Sequence, residues 1–204
     1  VALVNNAQRE HQEFMAGVDE VAREHGALFE SLPAGGVAVI NADDAHADYW
    51  RGLCRGRSVS ITVRDFGIDR PAAVSGRLVA RHVTEGAESE IALTAPEGAV
   101  IFALQLAGLH NARNAVAAAA AATAAGASLA AVARGLSAFA PVQGRLQRKA
   151  AMGGATLFDD SYNANPDSVR AAIDVLASCP GPTALVRGDM GEVGEQGPAF
   201  HAEV

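Results

Sequence analysis

Apolar residues in this chain fall into short runs that alternate with helix-period stripes, the pattern of a mostly parallel sheet covered by helices. Residues 2–4 read as the end of a buried strand. Residues 12–32 read as a helix with Phe14, Val18, Val21, His25, Leu28 and Leu32 near one face, closed by Pro33, Gly35 and Gly36. A short buried strand at 37–40 runs into Asn41-Ala42-Asp43-Asp44, and a helix at 47–53 and a strand at 58–63 follow. Between 73 and 106 the pattern changes. Three β-rich stretches around Leu78, Ile91 and Ile101, divided by Glu85-Gly86 and Pro96-Glu97-Gly98, predict antiparallel hairpins in a small side sheet. An alanine-rich helix follows Gly108, Gly126 stops it, and residues 128–139 form another helix. Past Lys149 a fresh β-α-β unit is predicted, with a strand at 155–158, a helix at 168–177 and a strand at 183–186. The fold class is therefore α/β, a mostly parallel sheet flanked by helices with a small antiparallel side sheet. The domains are expected at 1–149 and 150–204.

Composition narrows the function. Half of the 204 residues are hydrophobic and 19% are charged, which suits a packed core and not a disordered tail. The net charge of -7 and the scattered arginines argue against a nucleic-acid partner. A phosphate ligand needs only a few local N–H groups and one or two basic side chains, so it stays open. Cys54 and Cys179 sit in no metal-ligand spacing, and a reducing, cytoplasmic setting is the expectation. The apolar stretch 115–133 is alanine with Gly126 and Ser128, lacks leucine-rich insertion character and predicts no membrane insertion. The opening VALVNNA has neither a starting methionine nor the layout of a secretory signal, and reads as a chain cut from a longer one.

Four segments place polar residues where a strand ends or a helix begins, the usual ligand position in open parallel sheets. In Asn5-Asn6-Ala7-Gln8-Arg9-Glu10-His11, His11 suits a metal or phosphate contact, or a solvated loop. In Gly108-Leu109-His110-Asn111-Ala112-Arg113-Asn114, the two asparagines share one side of the helix start and suit a purine edge or a phosphate. Asn111 suits a helix cap equally. Gly144-Arg145 offers a planar cation for phosphates, or a plain surface arginine. Asp159-Asp160-Ser161-Tyr162-Asn163-Ala164-Asn165-Pro166 suits ribose or metal binding, or a polar turn capped by Asn165.

Taken together, GLHNARNAVAAAAA, GRLQ, DDSYNANPDS and GDMGEVGEQG resemble the Mur ligase family, and NNAQREHQEF is similar to its segment downstream of the phosphate loop. The resemblance spans essentially the whole chain. It implies a central ATP-binding domain followed by the first part of a Rossmann-like α/β domain, and a ligase that uses ATP and Mg2+. The last two motifs are similar to the branch that adds D-alanyl-D-alanine to UDP-MurNAc-tripeptide, two small-molecule partners, in a monomeric protein. By the same resemblance His11 holds a magnesium and, with Arg145, serves catalysis. His110, Asn111, Asn114, Arg145 and Asp160 bind nucleotide, and Tyr162, Asn163 and Asn165 line the interdomain cleft. Asn41, Asp43 and Asp44 match a strand-end motif to which no role attaches.

Two departures stand out. No G-x-x-x-x-G-K-[ST] occurs in these residues, and the family's phosphate loop and UDP-binding domain are expected upstream, so these residues alone are expected to be inactive. His25 stands where many members carry a carbamoylated lysine. A neutral imidazole there ligates magnesium in its place, or is a core-facing histidine bonded to backbone. The alternatives to this whole reading are another Mur or folylpolyglutamate-type amino acid ligase and a non-catalytic nucleotide-binding module.

Overall fold

β1 (Ala2–Val4) and β2 (Val37–Asn41) are apolar up to Asn41, as strands covered on both faces must be, and they lie parallel with Ala2 opposite Ala38. This computed structural model describes residues 1–9, 13–84, 87–191 and 193–204, with the backbone alone at 81–84 and 87. Alternation along β2 sends Ala38 and Ile40 into one core and Val39 into the other.

β3 (Thr62–Gly67) joins β2 in parallel, Val37 opposite Thr62. It starts four residues later than the apolar pattern predicts, because its second half carries charges that are satisfied sideways. The Arg64 guanidinium donates to Thr123 and pairs with Glu97, and Asp65 accepts from Arg51. β4 (Val74–Thr84), β5 (Ala87–Ala95) and β6 (Gly98–Leu104) form the predicted hairpins. They are continuous with the main sheet, since β4 pairs in parallel with β3 at Phe66↔Val74, and the six strands run in order β1 to β6.

α1 (Val18–Glu30) and α2 (Ala47–Arg55) cover one face, α3 (Leu109–Ala124) and α4 (Leu129–Ser137) the other. α1 corrects the predicted helix in two ways. It begins after Gly17, whose φ of 155° is not helical, and leaves Phe14 71% exposed. Its buried face is Val21, Ala22, Gly26 and Phe29, with Leu28 turned outward. The reason is Trp50: its indole N–H donates to Ala22 O at 2.8 Å, and a Cβ on Gly26 would meet Leu53 at 2.7 Å and Trp50 at 3.1 Å. Small residues that a hydrophobic stripe ignores decide which face admits the tryptophan.

The second unit opens with a two-stranded antiparallel sheet, β7 (Gln147–Ala150) against β8 (Thr156–Asp159), so the strand that pairs with β8 starts before Lys149. α5 (Pro166–Ala177) follows, with Pro166 in its first turn and Asn165 as a capping box with Ser168. α6 (Gly197–Glu203) was not predicted. The strand expected at 183–186 is absent: these residues are coil and Val186 is 97% exposed. A strand exists only through a ladder with a neighbour, and among the described residues β8 pairs with β7 alone. No helix among the described residues is long and apolar enough to cross a membrane.

Candidate functional site

Polar side chains at the carboxyl ends of β1, β2 and β3 tie the three following loops together, which gives Asn41, Asp43 and Asp44 a role. Asn41 Nδ2 donates to Asn5 O at 2.8 Å and its Oδ1 accepts from Asp43 N. The Asp43 carboxylate collects the N–H groups of Ile68, Asp69 and Arg70. A Cβ on Gly67 would come within 2.9 Å of Asp43 Oδ1, so a side chain there would displace the carboxylate. Asp44 accepts from Ala7 N and His46 N. The loop 5–9 is thereby pinned against β2.

α3 begins beside this loop. Gly108 has φ 96°, and a Cβ there would meet the His110 ring and Val175 of α5, so glycine lets the second unit approach. Asn114 Oδ1 accepts from Asn5 Nδ2 at 2.8 Å. Asn111 is inside the first turn and is not the cap: its Nδ2 donates to Ala107 O, while the N-cap, Gly108, has no side chain. From the second unit, Leu146 N donates to Asp160 Oδ1 at 3.0 Å and Tyr162 N to Gly144 O at 3.0 Å. Gly144, at φ 72°, packs against Tyr162 and Ser161.

The result is a crevice of about 340 Å³ between the units. One wall is Asn5, Asn6, Gln8 and Asn41 with His110, Asn111, Arg113 and Asn114; the other is Arg145, Leu146, Asp160, Asp167 and Ser168. Five expected site residues thus come together from segments up to 50 residues apart, His110 to Asp160. Tyr162 and Asn163 border a second cavity on the far side of β8, and Tyr162 reaches the crevice through Arg145, whose guanidinium lies 4.0 Å from its ring centre. Asn165 is spent as the α5 cap. His11 lies outside the described residues.

Residues 1–122 match the Mur ligase middle domain, and residues 144–204 match the Mur ligase, glutamate ligase domain. The chain belongs to the Mur ligase family. Among curated relatives, UDP-N-acetylmuramoyl-tripeptide--D-alanyl-D-alanine ligase of Escherichia coli is 38% identical over 100% of this chain and 44% of its own length. The enzyme of that name from Haemophilus influenzae is 35% identical over 100% of this chain and 42% of its own. The solved structure of MurF from Acinetobacter baumannii aligns with a TM-score of 0.88 at 29% identity, covering 99% of this chain and 42% of that one. The chain spans less than half the length of these Mur ligases. The match 144–204 takes in β7, and the crevice lies between the two matched segments' residues.

Charge around the crevice is mixed. Arg145 is exposed and has no carboxylate partner among the described residues, whereas Arg113 pairs with Asp69. Burial pushes the His110 imidazole down; Asp160 and Asp174 pull it back, and Arg113 adds to the burial effect. Burial pushes the Asp167 carboxyl up, but hydrogen bonds from Arg9 outweigh that and hold it below the usual carboxylate range. Sequence reasoning passed over Asn5, Asn6, Gln8, Arg113, Asp167 and Ser168 as individuals. Their signal was position: Asn5, Asn6, Gln8 and Arg113 lie in the polar segments singled out at strand ends and helix starts, and Asp167 and Ser168 close the DDSYNANPDS motif.

Magnesium fits the described residues poorly. No group of three or more His, Cys, Asp or Glu side chains among them forms a metal cradle. His25 Nδ1 lies 3.0 Å from Asn6 O. A carbonyl only accepts, so Nδ1 donates to it and the half-buried ring is tied to backbone on that side. Its remaining nitrogen is an imidazole donor, which magnesium takes less readily than oxygen.

Proposed function

We propose that this protein is an ATP-dependent amide ligase that joins D-alanyl-D-alanine to UDP-MurNAc-tripeptide through an acyl phosphate, in the cytoplasm. The observation that carries the reading is the meeting of Asn111, Asn114, Arg145 and Asp160 in one polar crevice, on a chain similar to ligases of that name.

Each wall has a chemical task. One Asp160 oxygen is held by Leu146 N–H, which fixes the carboxylate and leaves the other to accept from ribose hydroxyls. Asn111 and Asn114 offer amide groups to the base or phosphates. Arg145, steadied by the Tyr162 ring, presents a planar cation to phosphoryl oxygens, where negative charge gathers in transfer. His11 belongs to the proposal as a further contact to phosphate or metal. ATP gives its γ-phosphoryl group to the terminal carboxylate of the tripeptide, forming acyl phosphate and ADP. The D-alanyl-D-alanine amine then attacks the carbonyl carbon, the C–N bond forms and phosphate leaves with the C–O electrons.

The test is the full-length protein with ATP and UDP-MurNAc-tripeptide, offered D-alanyl-D-alanine or single amino acids. ADP, phosphate and a pentapeptide product are expected with the dipeptide only. Preferential use of a single amino acid would reassign it within the family, and nucleotide binding without turnover would make it a binding module.

A further inference from the structure

Arg9 spans the two units through both its backbone and its guanidinium. Its backbone N–H donates to Asp167 Oδ2 at 3.1 Å, and its guanidinium reaches both oxygens of that carboxylate, at 3.3 Å from Nε and 2.5 Å from Nη2. The remaining nitrogen, Nη1, donates to both oxygens of Glu203 at 2.9 Å. The guanidinium carbon also lies 5.4 Å from the centre of the buried Phe200 ring. One residue of the loop after β1 therefore grips both α5 and α6, across sequence separations of 158 and 194, and Arg170 of α5 also joins the two helices through Glu203. Its own end is fixed, because Asp44 grips Ala7 two residues earlier.

We propose that Arg9 is an electrostatic latch between the two units, a positioning residue that sets the crevice wall formed by Asp167 and Ser168. Arg9 does not line the crevice; Asp167 and Ser168 do. The three charged side chains are a fifth to a third exposed, so water and salt reach the latch and it can open reversibly, unlike an apolar seam. Its bidentate grip on Asp167 through Nε and Nη2 requires the planar fork of arginine, and Nη1 alone serves Glu203. Arg148 with Glu88 also crosses the units, but through a single 3.3 Å contact.

The kinetic consequence rests on the ligase reading; the latch does not. In the full-length protein without nucleotide, dyes on α1 and α6 report the distance between units. That distance is expected to lengthen as salt rises from about 0.1 to 1 M, where the Debye length falls from about 10 to 3 Å. It should be long at both salt levels in Arg9→Ala, and intermediate in Arg9→Lys and in Glu203→Gln, which leaves the Asp167 contact in place. If opening lowers the closed fraction roughly tenfold, the KM for ATP rises roughly tenfold, with kcat changed less than about twofold. Should Arg9→Ala melt near the growth temperature, Glu203→Gln on the surface of α6 carries the same test. Distances that ignore both salt and substitution overturn the latch. Altered distances in a protein that never binds or turns over ATP leave the latch standing and sink the ligase reading. A drop in kcat at unchanged KM overturns the positioning role.

Discussion

The Arg145 guanidinium lies face-on to the Tyr162 ring, 4.0 Å from its centre, with no acid opposing it among the described residues. The pair joins the loop before β7 to the loop after β8, and both loops are already tied by the Tyr162 N–H to Gly144 O bond. In the proposed reading, this unpaired arginine on an aromatic face is the group that meets the phosphates. Stacking at an exposed site contributes about 0.5–1 kcal/mol, so Tyr162→Ala should raise the KM for ATP by about two- to fivefold and Tyr162→Phe should leave it unchanged. Arg145→Ala should lower kcat by at least about a hundredfold, the usual loss when a donor to developing charge is removed. Steady-state kinetics of the full-length protein decide. Equal effects of the phenylalanine and alanine variants would mean that the ring acts through its hydroxyl.

The strand-end knot centred on Asp43 makes a stability prediction. Three backbone N–H groups converge on its carboxylate, and Asp43→Ala leaves them without it. A loss of about 2–4 kcal/mol is expected, since bonds to a charged acceptor contribute about 1.5–3 each and neighbouring water recovers part. Asp43→Asn, which keeps one acceptor oxygen, should lose about half as much. Urea unfolding of both variants checks this; a loss below about 1 kcal/mol for alanine would mean that the 68–70 turn holds itself.

Much of this organisation was legible in the sequence, and the exceptions have physical causes. Asn111, Asn114, Arg145 and Asp160 stood out because asparagine inside an alanine helix, an arginine after a glycine turn and adjacent acids after a strand need partners, and the structure brings them to one crevice. The face of α1 was misread because Ala22 and Gly26 carry no hydrophobic signal, yet Trp50 requires their smallness. β3 was cut short because Arg64 and Asp65 look like loop residues until their partners, Thr123, Glu97 and Arg51, are in place. The 183–186 run has strand character but no neighbour to pair with among the described residues. Arg9 was invisible in its role, since its partners lie at the opposite end of the chain.

Gly76 makes a sharper packing prediction. A Cβ built there overlaps Val116 Cγ2, which is how α3 comes down onto β4. β4 is fixed on both sides by its ladders at Gly67↔Ser75 and Gly76↔Leu93, so the strand cannot retreat. Gly76→Ala should therefore destabilise by about 1–3 kcal/mol through overpacking. Val116→Ala, which opens a cavity, should cost about 1–3 kcal/mol alone. The double variant should be more stable than the sum predicts, because the small side chain at 116 removes the clash. Additive losses in a double-mutant cycle would show that α3 shifts instead.

His110 supplies a pH prediction. Its ordinary imidazole value is 6.5, and in the folded chain burial drives it lower against the pull of Asp160 and Asp174, with Arg113 reinforcing the drop. Above pH 6.5 both states are neutral there and the residue adds no pH dependence. As pH falls below 6.5 the unfolded chain takes up a proton that the native state refuses, so stability declines until the folded value is passed and then levels off. The slope from this group is at most one proton, about 1.4 kcal/mol per pH unit. His46 acts in the opposite sense, since its hydrogen bond with Asp19 raises its value against burial and its contribution is lost as pH rises. Comparing wild type with His110→Gln removes that background. Between about pH 7 and 5 the variant's stability should fall less steeply than wild type's, by up to one proton. Parallel curves would mean that the folded imidazole titrates as freely as in the unfolded chain.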